Sequence, residues 1–283
     1  MRNNIKLFFG FLVVLAIIVW TGALNTSQAE SIRGLKVYFL NVGQGDSEYI
    51  KTPNGSDILI DGGPDASVLT ELGRVMDFGD RRIDLIVLTH PHADHLTGLI
   101  EVINRYEIGE VWETGVEYPS GIYDEWKKII SDKKIADKKV VQNDEKWFGS
   151  VKFFVLGPLS NLENKKIDNL NNASIISELD FNKFSALFLG DAENPVQTQI
   201  LKSLKPMTVV KIGHHGSKNA LNEDLLKILR PAIAVIEVGA KNTYGHPAPS
   251  TISFLESLAV KIYRTDQNGT VEIDSDGVNW SVK

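Results

Sequence analysis

The segment Thr89-His90-Pro91-His92-Ala93-Asp94-His95 places four side chains of metal-binding type within six residues. Neutral imidazole and carboxylate oxygen are donors for divalent first-row ions, and a turn between a strand and a helix can aim alternate side chains at one point. All six histidines of the chain fall into three short groups: His90, His92 and His95; His214 and His215; and His246. There is no cysteine, so thiolate ligands, disulfides and a cysteine nucleophile are excluded. Any metal site must rest on His, Asp, Glu and Asn. Asp94 and His95 open the helix that follows, where Asp94 suits an N-cap as well as it suits a ligand.

Such groups need rigid elements behind them. The first cluster follows an apolar strand at residues 84–88. Strands at 58–60, 186–189 and 209–212 end in the same manner, at Asp61-Gly62-Gly63, at Gly190-Asp191 and at Gly213-His214-His215-Gly216-Ser217. Four buried strands therefore finish in a polar, metal-type residue beside glycine, which lets a ligand approach the backbone closely. Asp61 is expected to hydrogen-bond the histidine loop, since ligating histidines need an orienting partner.

From residue 35 onward, short β-branched and aromatic runs alternate with helical patterns, with no repeat or Pro-rich linker between them. Strands are predicted at residues 35–41, 47–51, 57–60, 83–88, 151–156, 174–179, 185–189, 208–212 and 232–238, and helices at 95–106, 123–134, 195–204, 222–229 and 250–258. Residues 161–172, with five Asn, read as a loop. The pattern predicts an α/β chain of two mixed or mainly antiparallel sheets packed together, with helices on the outer faces, as one domain over residues 30–283. The 283 residues are 43% apolar, enough for a sizeable core, and the net charge of −6 offers no general field for polyanions. A lysine-rich stretch, Lys127 to Lys139, reads as a solvated face, and Trp112, Trp126 and Trp147 as core.

Residues 1–29 differ from the rest. Arg2 and Lys6 precede an unbroken apolar run at 7–20, and residues 21–29 carry no charge. This predicts an export signal, either cleaved near Ala29 or retained as a membrane anchor through residues 7–24. Either way the main domain is exported and works outside the cytoplasm.

The His-x-His-x-Asp-His set, with Thr89 and Pro91, resembles the signature of the metallo-β-lactamase superfamily. The ordered series Val42 to Ser47, Ile60 to Gly63, Thr89 to His95, Asn172 to Ser174, Leu189 to Glu193, Lys211 to Ser217, Tyr244 to Pro247 and Tyr263 to Asp266 is similar to the hydrolase domain of ComEC-type competence proteins. The resemblance implies a four-layer αββα sandwich. It implies that His90, His92, Asp94 and His95 bind a pair of divalent ions, bridged by Asp191 and completed by His214, with Asn172 as a weak amide donor. The pair would be Zn²⁺ or Mn²⁺, with Mg²⁺ a third choice, and hydroxide held between the ions would be the nucleophile. Asp94 then belongs to the catalytic centre. His215 and His246 are left to stabilise charge or protonate a leaving group, and Asp46, Asp61 and Ser217 to support the ligands. Lactamases proper carry a further histidine between the first cluster and the bridging Asp, and this chain has none between His95 and Asp191.

The resemblance implies a hydrolase of phosphodiesters, with nucleic acid as substrate and DNA processing as its role. Two alternatives stand beside it: a metal-dependent hydrolase of a small ester, lactone or thioester, and a non-catalytic metal-containing module assisting DNA uptake. A serine hydrolase is disfavoured because Ser217 lies in no Gly-x-Ser-x-Gly elbow.

Overall fold

The computed structural model describes residues 34–283; the export segment expected at residues 1–29 lies outside them. Among the described residues no helix is long and apolar enough to cross a membrane. The first half of the chain runs β1 (Leu35–Phe39), β2 (Glu48–Lys51), β3 (Asp57–Ile60), α1 (Ser67–Val75), β4 (Arg82–Ile83), β5 (Leu85–Val87), α2 (Ala93–Arg105), β6 (Glu107–Ile108), β7 (Glu110–Glu113), α3 (Gly121–Lys133) and β8 (Ala136–Lys139). The second half runs β9 (Glu145–Phe148), β10 (Val151–Gly157), β11 (Ile176–Phe181), β12 (Phe184–Phe188), α4 (Asn194–Ile200), β13 (Val209–Lys211), α5 (Glu223–Leu229), β14 (Ile233–Ile236), α6 (Pro249–Ser257), β15 (Lys261–Arg264) and α7 (Thr265–Asn268). β16 (Val271–Ser275) and β17 (Trp280–Val282) then return to the first sheet.

An eight-stranded sheet has the order β17-β16-β1-β2-β3-β5-β7-β8, and a seven-stranded sheet the order β15-β14-β13-β12-β11-β10-β9. Each is antiparallel where hairpins join its strands and parallel where helices do: β3, β5, β7 and β8 run parallel, as do β12 to β15. Because side chains alternate along a strand, an all-apolar strand feeds two cores. Val37, Phe39, Ile58, Ile60, Leu85 and Val87 meet Phe153, Leu179, Phe184, Phe188 and Val209 between the sheets. Tyr38, Leu59 and Ile86 face the other way and pack with Val68, Leu96, Leu99 and Trp126 of the helices. Leu187, Val210 and Ala234 likewise pack with Leu225, Leu226 and Leu255. The result is the predicted αββα four-layer sandwich.

Several elements differ from the periodicity: α1, β6 and β7 lie where no helix or strand is predicted, and two further differences have a local cause. The single strand expected at 83–88 breaks at Asp84, whose backbone NH and Oδ2 pair with Asp57, so β4 joins β6 while β5 joins the large sheet. β8 and β9 were not expected, because Ala136-Asp137-Lys138-Lys139 has no apolar alternation; the strand lies at the sheet edge, where one polar face is tolerated. Trp112 and Trp126 are core, as expected, but Trp147 on β9 is 59% exposed. Lys127, Lys128, Lys138 and Lys139 are ion-paired to Asp124, Asp132, Asp144 and Glu113, so four of the six lysines in the lysine-rich stretch are locally neutralised.

Candidate metal centre

The site loops leave the carboxyl ends of parallel strands, where an open α/β sheet leaves a crevice for ligands. Asp61 follows β3, the His90 to His95 turn follows β5, Asp191 follows β12, and His214 and His215 follow β13. Asp61 is fully buried and accepts hydrogen bonds from the Thr89 amide (2.8 Å), the Thr89 hydroxyl (2.6 Å) and Nδ1 of His95 (2.7 Å). It thereby fixes the start of the histidine turn and leaves Nε2 of His95 as the free nitrogen. Close packing of two glycines allows this: a Cβ on Gly98 of α2 would stand 1.8 Å from the Gly62 carbonyl oxygen. His92, with an extended backbone, is the N-cap residue of α2, without a side-chain capping bond, and Asp94 sits in the first turn, so the N-cap position weighed for Asp94 falls two residues earlier.

Around Nε2 of His95 the donors converge. Oδ2 of Asp191 is 3.4 Å away and Oδ2 of Asp94 is 4.0 Å away, while His90 Nε2 lies 3.9 Å from Asp191 and 2.9 Å from Nδ1 of His92. Two sets of three, His90 with His95 and Asp191, and Asp94 with His95 and His215, each bring one donor atom apiece within 4.8 Å of one another. Asp46, Asp191 and His215 form a third. His95 Nε2 and Asp191 Oδ1 are buried with no hydrogen-bond partner. A buried polar atom left unpaired is costly, and a cation among these donors would relieve that cost, so the residues fit a divalent metal.

Electrostatics agree. Burial pushes His90 and His92 below the usual histidine range, which keeps both imidazoles neutral and their lone pairs available. Burial opposes the charged form of His95, but Asp191, Asp61 and Asp94 outweigh it and raise the group well above that range, so the carboxylates favour a positive charge at this ring, held as a proton that a bound cation would displace from Nε2. Burial would likewise raise Asp94 and Asp191, yet the neighbouring histidines hold both carboxyls down and ionised.

His214 and His215 both adopt the left-handed backbone region, with φ of 45° and 51°. That turn sends them apart. His215 is buried, with Nε2 3.2 Å from Asp94 and Nδ1 2.9 Å from the Glu237 carbonyl and 3.2 Å from Asp46. His214 instead meets Glu193 (3.2 Å), Asn171 (3.1 Å) and the Ser217 hydroxyl (3.3 Å) through Nδ1. The structure thus brings His215, rather than His214, to the first cluster. Asn172 turns away as well: its Oδ1 accepts from the Glu193 amide, while its neighbour Asn171 is the buried one, with an unpaired Oδ1. His246 stands outside, its ring 5.6 Å from that of His214, and burial and His214 lower its pKa.

Behind the donors lies a buried polar layer in which Asp46 is the supporting residue expected from the sequence, while Lys211, Glu48 and Glu237 are not assigned there. Lys211 is fully buried, its ammonium against Asp46 and donating to the Gly190 carbonyl (3.0 Å). It links the loop after β1 to the loop carrying Asp191. Glu237 accepts from the Ser47 amide (3.1 Å); burial raises it to about 7 although Lys211 pulls it down, and burial with the nearby Glu237 charge raises Glu48 well above the carboxylate range, so the pair retains a proton. Glu193, which faces His214, was also unassigned; its place two residues after Asp191 was the available signal.

Residues 40–239 match the Metallo-beta-lactamase superfamily. The chain belongs to the metallo-β-lactamase superfamily. ComE operon protein 3 of Bacillus subtilis is 26% identical over 261 residues, covering 84% of this chain and 32% of that protein. Recombination protein 2 of Haemophilus influenzae is 27% identical over 240 residues, covering 83% and 28%. Both are ComEC-type competence proteins, and the chain spans about a third of their length. Among solved structures, the metallo-β-lactamase fold protein YhfI from Bacillus subtilis superposes with a TM-score of 0.59 at 8% identity, covering 85% of this chain and 100% of that one. CmlA, a diiron β-hydroxylase from Streptomyces venezuelae, gives 0.53 at 16%, covering 84% and 52%. These two likenesses bear on the fold. The superfamily is one of metal-dependent hydrolases, and membership implies divalent metal binding by the His/Asp clusters described above.

Proposed function

We propose that this protein is a dinuclear metal-dependent phosphodiesterase that cuts nucleic acid outside the cytoplasmic membrane. The observation that carries the reading is the pair of buried, unpartnered donors His95 Nε2 and Asp191 Oδ1 at the meeting point of the donor triads. His90, His92, Asp94, His95, Asp191 and His215 would hold two ions; His95 belongs to both the His90/Asp191 and the Asp94/His215 triads, and Asp191 also joins His215 in the third. The N/O donor set suits Zn²⁺ or Mn²⁺, and an all-carboxylate shell of the kind Mg²⁺ prefers is absent among these six. Divalent ions held there would acidify water and polarise a phosphoryl oxygen.

The chain's own residues then supply orientation. Asp61 holds His95, and the Lys211–Asp46 contact holds the loops that carry Asp191 and His215. As water oxygen bonds to phosphorus and the P–O ester bond breaks, the leaving oxygen takes a proton, and His246 with His214 stands at the edge of the donor cluster to hydrogen-bond it. Nucleic acid as substrate and a role in DNA processing are supported by similarity to competence proteins. Export, with anchoring through residues 7–24 or release near Ala29, is supported by the N-terminal sequence.

The test is cleavage of labelled single-stranded and duplex DNA by the chelated protein after Mn²⁺, Mg²⁺ or Zn²⁺ is restored, with Asp191→Ala beside it. Metal-dependent cutting that drops about 10³-fold in the variant is expected. Turnover of lactones or thioesters without any DNA cleavage would overturn the substrate class.

A further inference from the structure

A row of rings leads from the buried centre to the surface. His95 stacks on His215 at 5.8 Å, His215 meets His214 at 6.2 Å, His214 meets His246 at 5.6 Å, and His246 stacks on Tyr244 at 5.9 Å and 19°. His95 is fully buried and Tyr244 is 70% exposed. Phe78, Trp147 and Trp280 are exposed too, but Tyr244 is the one stacked on a histidine of the site.

The loop that presents Tyr244 is braced. The Asn242 side chain donates to the carbonyls of Gly239 and His246 and accepts from the His246 amide, and the Gly239 amide donates to Gln44. The ring is therefore positioned before any ligand arrives. In the loops that carry these rings, Lys241 precedes Asn242 by one residue and Lys218 follows Ser217, whose hydroxyl meets His214. Both lysines are exposed, and among the described residues neither makes an ion pair. This contrasts with Lys127, Lys128, Lys138 and Lys139, whose charges are already matched.

An exposed aromatic face flanked by unmatched cations is the combination that binds single-stranded nucleic acid, by base stacking and phosphate contact. A duplex cannot use it without unstacking, because both faces of each paired base are already covered. We infer that Tyr244, Lys218 and Lys241 form a single-strand-binding rim, with Tyr244 stacking a base next to the scissile phosphodiester and the lysines contacting the flanking phosphates. The rim rests on the phosphodiesterase reading above and deepens it to a preference for single strands.

Two measurements on the full chain test it. The first is stacking of a non-cleavable phosphorothioate oligonucleotide carrying 2-aminopurine, read by fluorescence quenching; the second is cleavage kinetics on matched single-stranded and duplex DNA. Tyr244→Ala is expected to lose the quenching and to raise KM for the single strand about tenfold or more, and Tyr244→Trp to restore both. Lys218→Gln and Lys241→Gln should each lower the salt-dependence slope of binding by about 0.7. Trp147→Ala should behave as wild type. Unchanged quenching and KM in Tyr244→Ala, with DNA still cut, would overturn the rim and leave the phosphodiesterase standing. Tyr244-dependent quenching by a protein that cuts no DNA would support the rim and overturn the phosphodiesterase. A wild-type protein that neither binds nor cuts would overturn both.

Discussion

Nε2 of His215 lies 3.2 Å from Oδ2 of Asp94, joining the turn after β13 to the first turn of α2 across 121 residues. Neither residue makes a metal site alone. The contact couples the two sheets at the edge where all the donor loops emerge, and it separates two adjacent histidines into different roles.

That separation is testable by metal content. His215→Ala should lose bound metal, since it removes a donor from two of the triads, whereas His214→Ala should keep it and lose rate. Metal per chain, measured by atomic emission after dialysis, distinguishes them. Full metal content in His215→Ala would return the ligand role to His214.

Asp61→Asn keeps the shape but replaces the carboxylate that faces Nδ1 of His95. Loss of an orienting partner of this kind costs about 10- to 100-fold in metal affinity. A competition titration with a chelating indicator should show that weakening with far-UV circular dichroism unchanged. Wild-type affinity would show that Thr89 and the backbone suffice to hold the turn.

Gly98→Ala puts a methyl group into the Gly62 carbonyl, 1.8 Å away before relaxation. Because the neighbour is backbone, α2 must move off β3, and overpacking of this type costs about 1–3 kcal/mol. Urea denaturation should report that loss, and metal affinity should fall with it, since the same helix carries Asp94 and His95. Gly73, also helical but with open space at its Cβ position, is the control that should tolerate Ala.

The Asp57 carboxyl, at the start of β3, is pushed up to about 7 by burial, and its Oδ1 has no hydrogen-bond partner. The folded state therefore binds this proton more tightly than the unfolded chain does. Stability contributed by the group is greatest below its unfolded value of about 4, falls as pH rises to about 7, and is flat above that. Asp57→Asn removes the dependence. Its melting temperature should exceed the wild type's at pH 8 and the gap should shrink towards pH 4; a gap independent of pH would contradict the assignment.

Much of this was legible in the sequence because it is local. The His90 to His95 cluster, Asp61 after β3 and Asp191 after β12 are each a strand end followed by donors within a few residues, and the αββα layering follows from strands that are apolar on both faces. What failed to show depends on backbone handedness or on distant pairing. Which of His214 and His215 points inward is decided by left-handed φ values that the types His-His do not specify. Asn171 and Asn172 are separated in the same way by the turn of the short 3₁₀ helix Leu170–Ala173. The Lys211–Asp46 contact joins residues 165 apart on different sheets, and nothing local marks either as a partner of the other.

The most direct test of the metal centre is anomalous diffraction from a crystal of the full chain loaded with Mn²⁺, recorded near the manganese absorption edge. The account predicts two peaks, one among His90, His95 and Asp191 and one beside Asp94 and His215. Peaks confined to the buried carboxylates Asp46, Glu48 and Glu237, or no peak at all at saturating Mn²⁺, would contradict it.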